Sequence, residues 1–190
     1  MEELNKANEE LMKMEDKDVR IIYLPPMIVA SAYASGEGCV DETSDIVNKF
    51  IKESGLLKIK PDARGFDFDC QGGAAESGGN SNGHEAWVSV PDNMEIPEPL
   101  VRREFSGGLY AAHVLREWDF QDWRRLKEWV DASDKYDNDW SSPRWEPAET
   151  GCGQGFEETL NLYNFIQKNN AEMSYLQLDL LLPIKEKENG

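Results

Sequence analysis

The sequence predicts an α+β fold: duplicated β-α-β-β halves form a curved antiparallel sheet, with two main helices packed on one side and a cleft between the halves. Three observations predict it. Strand-like and helix-like segments follow one another in the same order twice, at a separation of about eighty to ninety residues, which is too long for a solenoid repeat and suits an internal duplication. The chain has 190 residues, the size of one domain able to bury a continuous core. Its apolar fraction is 39%, which sets it apart from a disordered chain although 30% of its residues are charged.

Residues 1–17 place Leu4, Ala7, Leu11 and Met14 on one face of a short amphipathic helix. Such a helix either packs on its own domain or is the remnant of a coiled coil through which two copies form a homodimer. Residues 18–185 make up the domain and 186–190 a tail. Residues 19–34 read as two strand segments separated by a bend at Pro25-Pro26. Residues 45–54 place Ile46, Phe50 and Ile51 on one face and run into Gly55, a helix with a glycine stop. Residues 64–69 alternate Phe66 and Phe68 with polar residues, which makes a strand. Residues 70–83, loaded with Gly, Ser and Asn, read as a mobile loop. Residues 84–90 alternate again up to Pro91, with Glu85, Trp87 and Ser89 on one face and Ala86, Val88 and Val90 on the other.

The second half repeats the order. Residues 101–105 and 109–115 are strand segments around Gly107-Gly108, where the first half has Pro25-Pro26. Residues 119–133 carry Trp123, Leu126, Trp129 and Val130 at helical spacing. An irregular stretch, 136–155, leads to Gly155-Phe156-Glu157, an echo of Gly65-Phe66-Asp67. Residues 175–183 then form a strand ending in proline, as residues 85–91 do.

Composition excludes several functions. A formal net charge of -17 repels phosphate backbones and anionic membranes, so direct binding of nucleic acid or a membrane by this chain is not expected. The longest apolar run, residues 21–34, is too short to cross a bilayer and contains two prolines. Cys39, Cys70 and Cys152 are odd in number and widely spaced, and His84 and His113 are far apart. No disulfide framework or metal site follows from them, and a cytoplasmic location is expected. The glycines between 72 and 83 lack the spacing of a phosphate loop or dinucleotide fingerprint, and no cofactor is expected.

Five segments in order carry a family resemblance: Val-Arg-Ile-Ile-Tyr-Leu-Pro-Pro-Met-Ile-Val-Ala-Ser at 19–31, Arg-Gly-Phe-Asp at 64–67, His-Glu-Ala-Trp-Val-Ser-Val-Pro-Asp at 84–92, Phe-Ser-Gly-Gly-Leu-Tyr-Ala at 105–111 and Leu-Asp-Leu-Leu-Leu-Pro-Ile at 178–184. Together they resemble the GyrI-like family over residues 18–185. That family includes the effector-binding domains of bacterial AraC-type and MerR-type drug-responsive regulators. The resemblance implies a SOUL-like α+β fold with a ligand pocket lined by aromatics and a buried glutamate. In this sequence the matching glutamate is Glu157, in Gly-Phe-Glu-Glu-Thr-Leu, with Thr159 where many relatives have tyrosine.

The expected function is binding of a small lipophilic cation by a stand-alone domain that senses or sequesters drugs, including multidrug binding, in connection with transcription regulation. No basic helix-turn-helix segment occurs here, so DNA binding would reside in another segment or chain. The resemblance leaves two alternatives: a hydrolase of strained electrophiles, with Glu157 activating water and Tyr110 as acid, or an acidic inhibitor of a topoisomerase. A carboxylate in apolar surroundings selects a cation, and indole faces add cation–π attraction. The candidate ligand-binding residues are therefore Glu157, Trp87, Tyr110, Glu85, Trp123, Asp67 and Trp145. Asp67 enters because it holds the position in the first half that Glu157 holds in the second. Glu85 faces either the pocket or solvent. Tyr110 and Trp123 have structural readings beside the pocket one, and His113 and Trp129 read as structural.

Overall fold

The computed structural model describes residues 13–70, 83–115, 119, 121–140, 144–146, 155–167 and 177–188. Two bent strands organise it. The first is β1 (Arg20–Leu24) followed by β2 (Met27–Ser35), and the second is β5 (Val101–Phe105) followed by β6 (Gly108–Leu115). Pro25 and Pro26 offer no N–H to a ladder, so the first strand breaks there. The two bent strands pair antiparallel in one register on both sides of the break, from Arg20↔Ala112 to Leu24↔Gly108 and from Met27↔Phe105 to Ser31↔Val101. The bends therefore lie against each other. Gly107 has φ +78°, and a Cβ there would meet the Leu24 carbonyl oxygen at 2.4 Å.

The remaining strands are β3 (Gly65–Cys70), β4 (Gly83–Val90), β7 (Tyr136–Asn138), β8 (Trp145–Glu146), β9 (Phe156–Thr159) and β10 (Leu178–Glu186). The sheet order is β1-β6-β10-β9-β3-β4-β2-β5-β8, with β7 added to β10. Because β1 continues into β2 and β5 into β6, the two ends of this path meet and the sheet curls back on itself. Each bent strand lends its first segment to the other half, and the halves join directly at β3 and β9.

Helix α1 (Cys39–Ser54) buries Cys39, Thr43, Val47, Phe50 and Ile51 on one stripe. It stops at Gly55, whose left-handed backbone turns its N–H onto the Ile51 and Lys52 carbonyls. The short helix α2 (Leu56–Ile59) follows. Helix α3 (Asp122–Asp131) buries Leu126 and Val130, and α4 (Leu162–Gln167) buries Leu162 and Ile166. Val47, Phe50 and Ile51 of α1 pack with Ala30 and Ala32 of β2 and Ala86 and Val88 of β4. Leu126 and Val130 of α3 pack with Ala111 of β6 and Leu180 and Leu182 of β10. The opposite face is the inside of the curl, and it is aromatic. Phe156 sits 5.2 to 5.8 Å, centroid to centroid, from Phe66, Phe68, Trp87, Phe105 and Tyr110. Fully buried aromatics at these spacings favour tilted and edge-on contacts, as between Phe68 and Trp87 at 89°.

The two halves, the bends and the placement of both main helices follow the sequence expectation, and several boundaries differ. Helix α1 begins at Cys39 rather than 45, because the polar run Asp41-Glu42-Thr43-Ser44 hides a first turn whose acidic side chains suit a helix N-terminus. Cys70 and Gly83, expected in a loop, pair with each other in β3 and β4, and residues 71–82 lie outside the described residues. Residues 136–138 form a strand rather than part of an irregular stretch. Strand β10 continues through Pro183 to Glu186. Its edge is paired with β9 up to Leu181 and with β7 from Ile184, so the missing N–H of Pro183 falls in the gap. Cys70 is disulfide-bonded, a pairing that the wide cysteine spacing does not signal. Of the expected helix at 1–17, residues 1–12 lie outside the described residues, and Asp16–Asp18 form a 3-10 turn.

Replacing Gly107 by alanine forces a side chain into left-handed backbone and against the Leu24 carbonyl. The expected loss of stability is about 2–4 kcal/mol, read from urea denaturation. A loss within about 0.5 kcal/mol, the range of ordinary surface changes, would show that the two bends do not press on each other.

Candidate functional site

Strands β3 and β9 meet in the register Gly65↔Thr159, Phe66↔Glu158, Asp67↔Glu157. The residues that echo one another in sequence thus face one another across the junction of the halves. Successive side chains on a strand point to opposite faces. Phe66, Phe68 and Phe156 fill the inside of the curl, so Asp67 and Glu157 project to the helix side, between α1 and α3. Directly opposed residues have Cβ atoms about 5 Å apart, and like charges at that spacing destabilise a sheet.

The surroundings of this pair are poor in counter-charge. A cleft of about 130 Å³ opens beside Asp67, lined by Ser44 and Asn48 of α1, Thr159 of β9, and Leu162 and Phe165 of α4. No Lys or Arg is among its described lining residues. Burial first, and the facing Glu157 second, push the Asp67 carboxyl up to about 7. Burial raises Glu157 as well, and Asp69 adds to the rise, against the pull of the Trp123 indole. That indole N–H donates to Glu157 Oε1 at 3.1 Å from α3. The neighbouring Glu158, on the other face, is neutralised by Arg64 through two contacts of 2.6 Å.

Inside the curl a second carboxylate is handled differently. Glu85 of β4 is completely buried. Its Oε1 accepts from Trp87 Nε1 at 2.7 Å and from Ser31 Oγ at 2.5 Å, and Arg103 Nε lies 2.5 Å away. Arg103 Nε also lies 3.2 Å from Ser31 Oγ. Tyr110 is fully buried nearby, with the Arg144 guanidinium 4.7 Å from the centre of its ring. Its hydroxyl has no partner of hydrogen-bonding geometry among the described residues, and burial pushes its pKa above the ordinary phenol value.

The candidate residues therefore fall into two groups. Asp67, Glu157 and Trp123 come together on the helix side, whereas Glu85, Trp87 and Tyr110 lie on the opposite face of the sheet. The expected contact of Glu157 with Trp87 and Tyr110 does not form. Trp87 pairs with Phe66 and shares its face, while Asp67, one residue on, takes the other. Trp145 pairs through its backbone with Phe105, and its side chain lies outside the described residues. His113 bridges the Asp18 carbonyl at 2.9 Å and Asp122 Oδ2 at 3.1 Å, a structural cross-tie. Arg103 was not among the candidates, although its alternation with Phe105 on β5 places it on the inner face. Ser44 and Asn48 carry no sequence signal that would have singled them out.

Residues 20–184 match the family described as Cass2, integron-associated effector binding protein. Among solved structures, the EcmrR C-terminal domain shares 12% identity and a TM-score of 0.59, covering 89% of this chain and 98% of that one. EcmrR in its complex with DNA shares 12% identity and a TM-score of 0.54, covering 97% of this chain and 65% of that one. A hydrolase from Listeria innocua shares 10% identity and a TM-score of 0.53, covering 96% and 98%. At these identities the structural likeness establishes the fold. None of the curated proteins matches the chain. Among the described residues no helix is long and apolar enough to cross a membrane.

The opposed carboxylates give stability a definite pH dependence. A carboxyl raised from 3.8 to about 7 on folding favours the folded state below about pH 4, and that contribution is lost as pH rises towards 7. Asp67→Asn removes the penalty, so it is expected to stabilise the protein at pH 8 by about 1–3 kcal/mol and to add nothing at pH 4. Urea midpoints at the two pH values measure this. An equal effect at both would identify Asp67 as an ordinary solvated carboxylate.

Proposed function

The chain belongs to the Cass2 family of integron-associated effector-binding proteins, and we propose on that premise that its effector is a small lipophilic cation held at the junction of the two halves. The observation that carries this reading is the Asp67–Glu157 pair, of which Asp67 lines a cleft whose described lining holds no Lys or Arg. Two carboxylates short of counter-charge attract a cation. Partial burial strengthens that attraction relative to water, because the local dielectric is lower. Trp123 supplies an indole beside Glu157, and indole faces are the strongest cation–π partners. An opening of about 130 Å³ suits one aromatic ring or one quaternary ammonium group, so the effector is read as presenting such a group rather than entering whole.

In this reading Glu85 and Tyr110 build the scaffold and do not touch the effector, and Trp87, packed in the aromatic interior, also borders the cleft. They and the aromatic interior hold the curl in shape, while α1 and α4 wall the cleft on the other side and α3 brings Trp123 to Glu157. We further propose that occupancy is coupled to transcription through a DNA-binding module other than this acidic domain, whose net charge of -17 opposes contact with phosphates. A second reading has one specific observation in its favour. A pair of carboxyls with raised proton affinities is also suited to water activation, one as base and one as acid. Mass spectrometry of the ligand after prolonged incubation distinguishes the two, since a receptor returns it unchanged.

The test uses phenyltrimethylammonium and its uncharged isostere tert-butylbenzene, titrated calorimetrically into the wild type and Glu157→Gln. The variant is expected to lose about ten- to a hundredfold in affinity for the cation and less than twofold for the neutral compound. Equal losses for both compounds, or no binding of the cation to the wild type, would overturn the proposal.

A further inference from the structure

We propose that the Asp67–Glu157 pair holds one shared proton while the cleft is empty and releases it when a monocation enters, so that effector binding is an exchange of a cation for a proton. The inference rests on the cation reading above and adds the regulation of that site. It starts from register. Equivalent positions of the two halves meet at β3 and β9, and the residues that meet are both acids. Had the echo fallen one residue earlier, two phenylalanines would have held those positions.

The elements that line the cleft beside Asp67 contribute neutral groups, and Leu180 of β10 pairs with Glu157. From α1 come Ser44 and Asn48, from α4 Leu162 and Phe165, and from β9 Thr159. From α3 comes the Trp123 indole N–H, which donates to Glu157. Asp69, two residues along β3, raises Glu157 further. The one basic side chain on the adjoining strand is His84, paired in register with Asp69. Its ring is occupied by Thr43 Oγ1 at 2.6 Å, and burial favours the neutral imidazole. Without a fixed cation, two carboxylates on directly opposed residues, with Cβ atoms about 5 Å apart, ionise in two separated steps, and one proton on the pair is the least costly occupant of the empty site. Burial and the facing Glu157 push the Asp67 carboxyl up to about 7, and burial raises Glu157 as well, which favours a proton on the pair.

The charge balance follows directly. The empty pair with one proton carries a single negative charge. The occupied pair, with both acids ionised and one cation bound, carries the same net charge, and the proton leaves to the buffer. A neutral guest shifts this balance not at all. Affinity for a monocation should therefore fall about tenfold for each pH unit below the upper pKa of the pair and level off above it.

The measurement is calorimetry of phenyltrimethylammonium, which has no proton of its own to give, with the intact chain at pH 6.5 in phosphate, MES and ACES. These buffers differ in ionisation enthalpy, so the slope of the observed heat against that enthalpy counts the protons released. The wild type is expected to release between half a proton and one proton per cation bound, and Asp67→Asn to bind more weakly with a release near zero. tert-Butylbenzene should give no slope. Cation binding with a flat buffer dependence would overturn the exchange and leave the cation reading standing. Undiminished release from Asp67→Asn would overturn the assignment to the pair, and absence of cation binding to the wild type would overturn both readings.

Discussion

The β3–β9 pairing is the constraint on which the rest of the molecule depends, because it joins the two halves and also decides what faces the cleft. Its register sets Asp67 opposite Glu157. Alternation then sends the flanking phenylalanines to the inside of the curl, where Phe156 contacts five other aromatic rings. A shift of one residue would turn the phenylalanines towards the helices and the acids into the aromatic interior, losing apolar burial and adding desolvation cost together. The apolar face thus pins the acidic one. The sheet accepts the repulsion between the two acids because the burial of Phe66, Phe68 and Phe156 on its other face outweighs it.

The chain treats the carboxylates on the two faces of its sheet in two ways, and the contrast assigns their roles. Glu85 and Glu158 are matched with Arg103 and Arg64 at hydrogen-bonding distance. Removing one partner of a buried pair costs about 3–5 kcal/mol, so these side chains act as fixed struts. Asp67 and Glu157 have only an indole N–H between them as a described donor. Leaving charge unbalanced in this way costs stability, and such costs persist where function uses them. The expense concentrates at the junction of the halves, where a cleft is also present.

Much of this was legible in the sequence. The duplicated order, the facing bends at Pro25-Pro26 and Gly107-Gly108 and the echo of Gly-Phe-Asp in Gly-Phe-Glu were all readable, because each rests on local rules of period, proline and glycine. Pairing Asp67 with Glu157 as equivalent positions was readable too. Their contact across the junction was not, since strand order is a tertiary property. Placing Glu157 beside Trp87 and Tyr110 failed for a similar reason. Within β4 the alternation of Glu85 with Trp87 was read correctly, but which face of β4 adjoins which face of β9 depends on the intervening β3. The arginine that balances Glu85 comes from β5 in the other half, so the fate of that acid could not be read from β4 alone. Ser44 joins the cleft-facing side of α1 because the helix starts earlier than its apolar period shows.

The state of the two carboxyl groups decides what the junction can bind, and carboxyl ¹³C resonances report that state without any ligand. An NMR titration of protein labelled at Asp and Glu side-chain carbons, with Asp67→Asn and Glu157→Gln to assign the signals, follows each group separately. The expected result is an Asp67 midpoint near 7 and a Glu157 midpoint above the ordinary glutamate value, with the Asp67 midpoint falling when Glu157 is replaced by glutamine. Midpoints for both at ordinary carboxylate values, unmoved by loss of the partner, would contradict it.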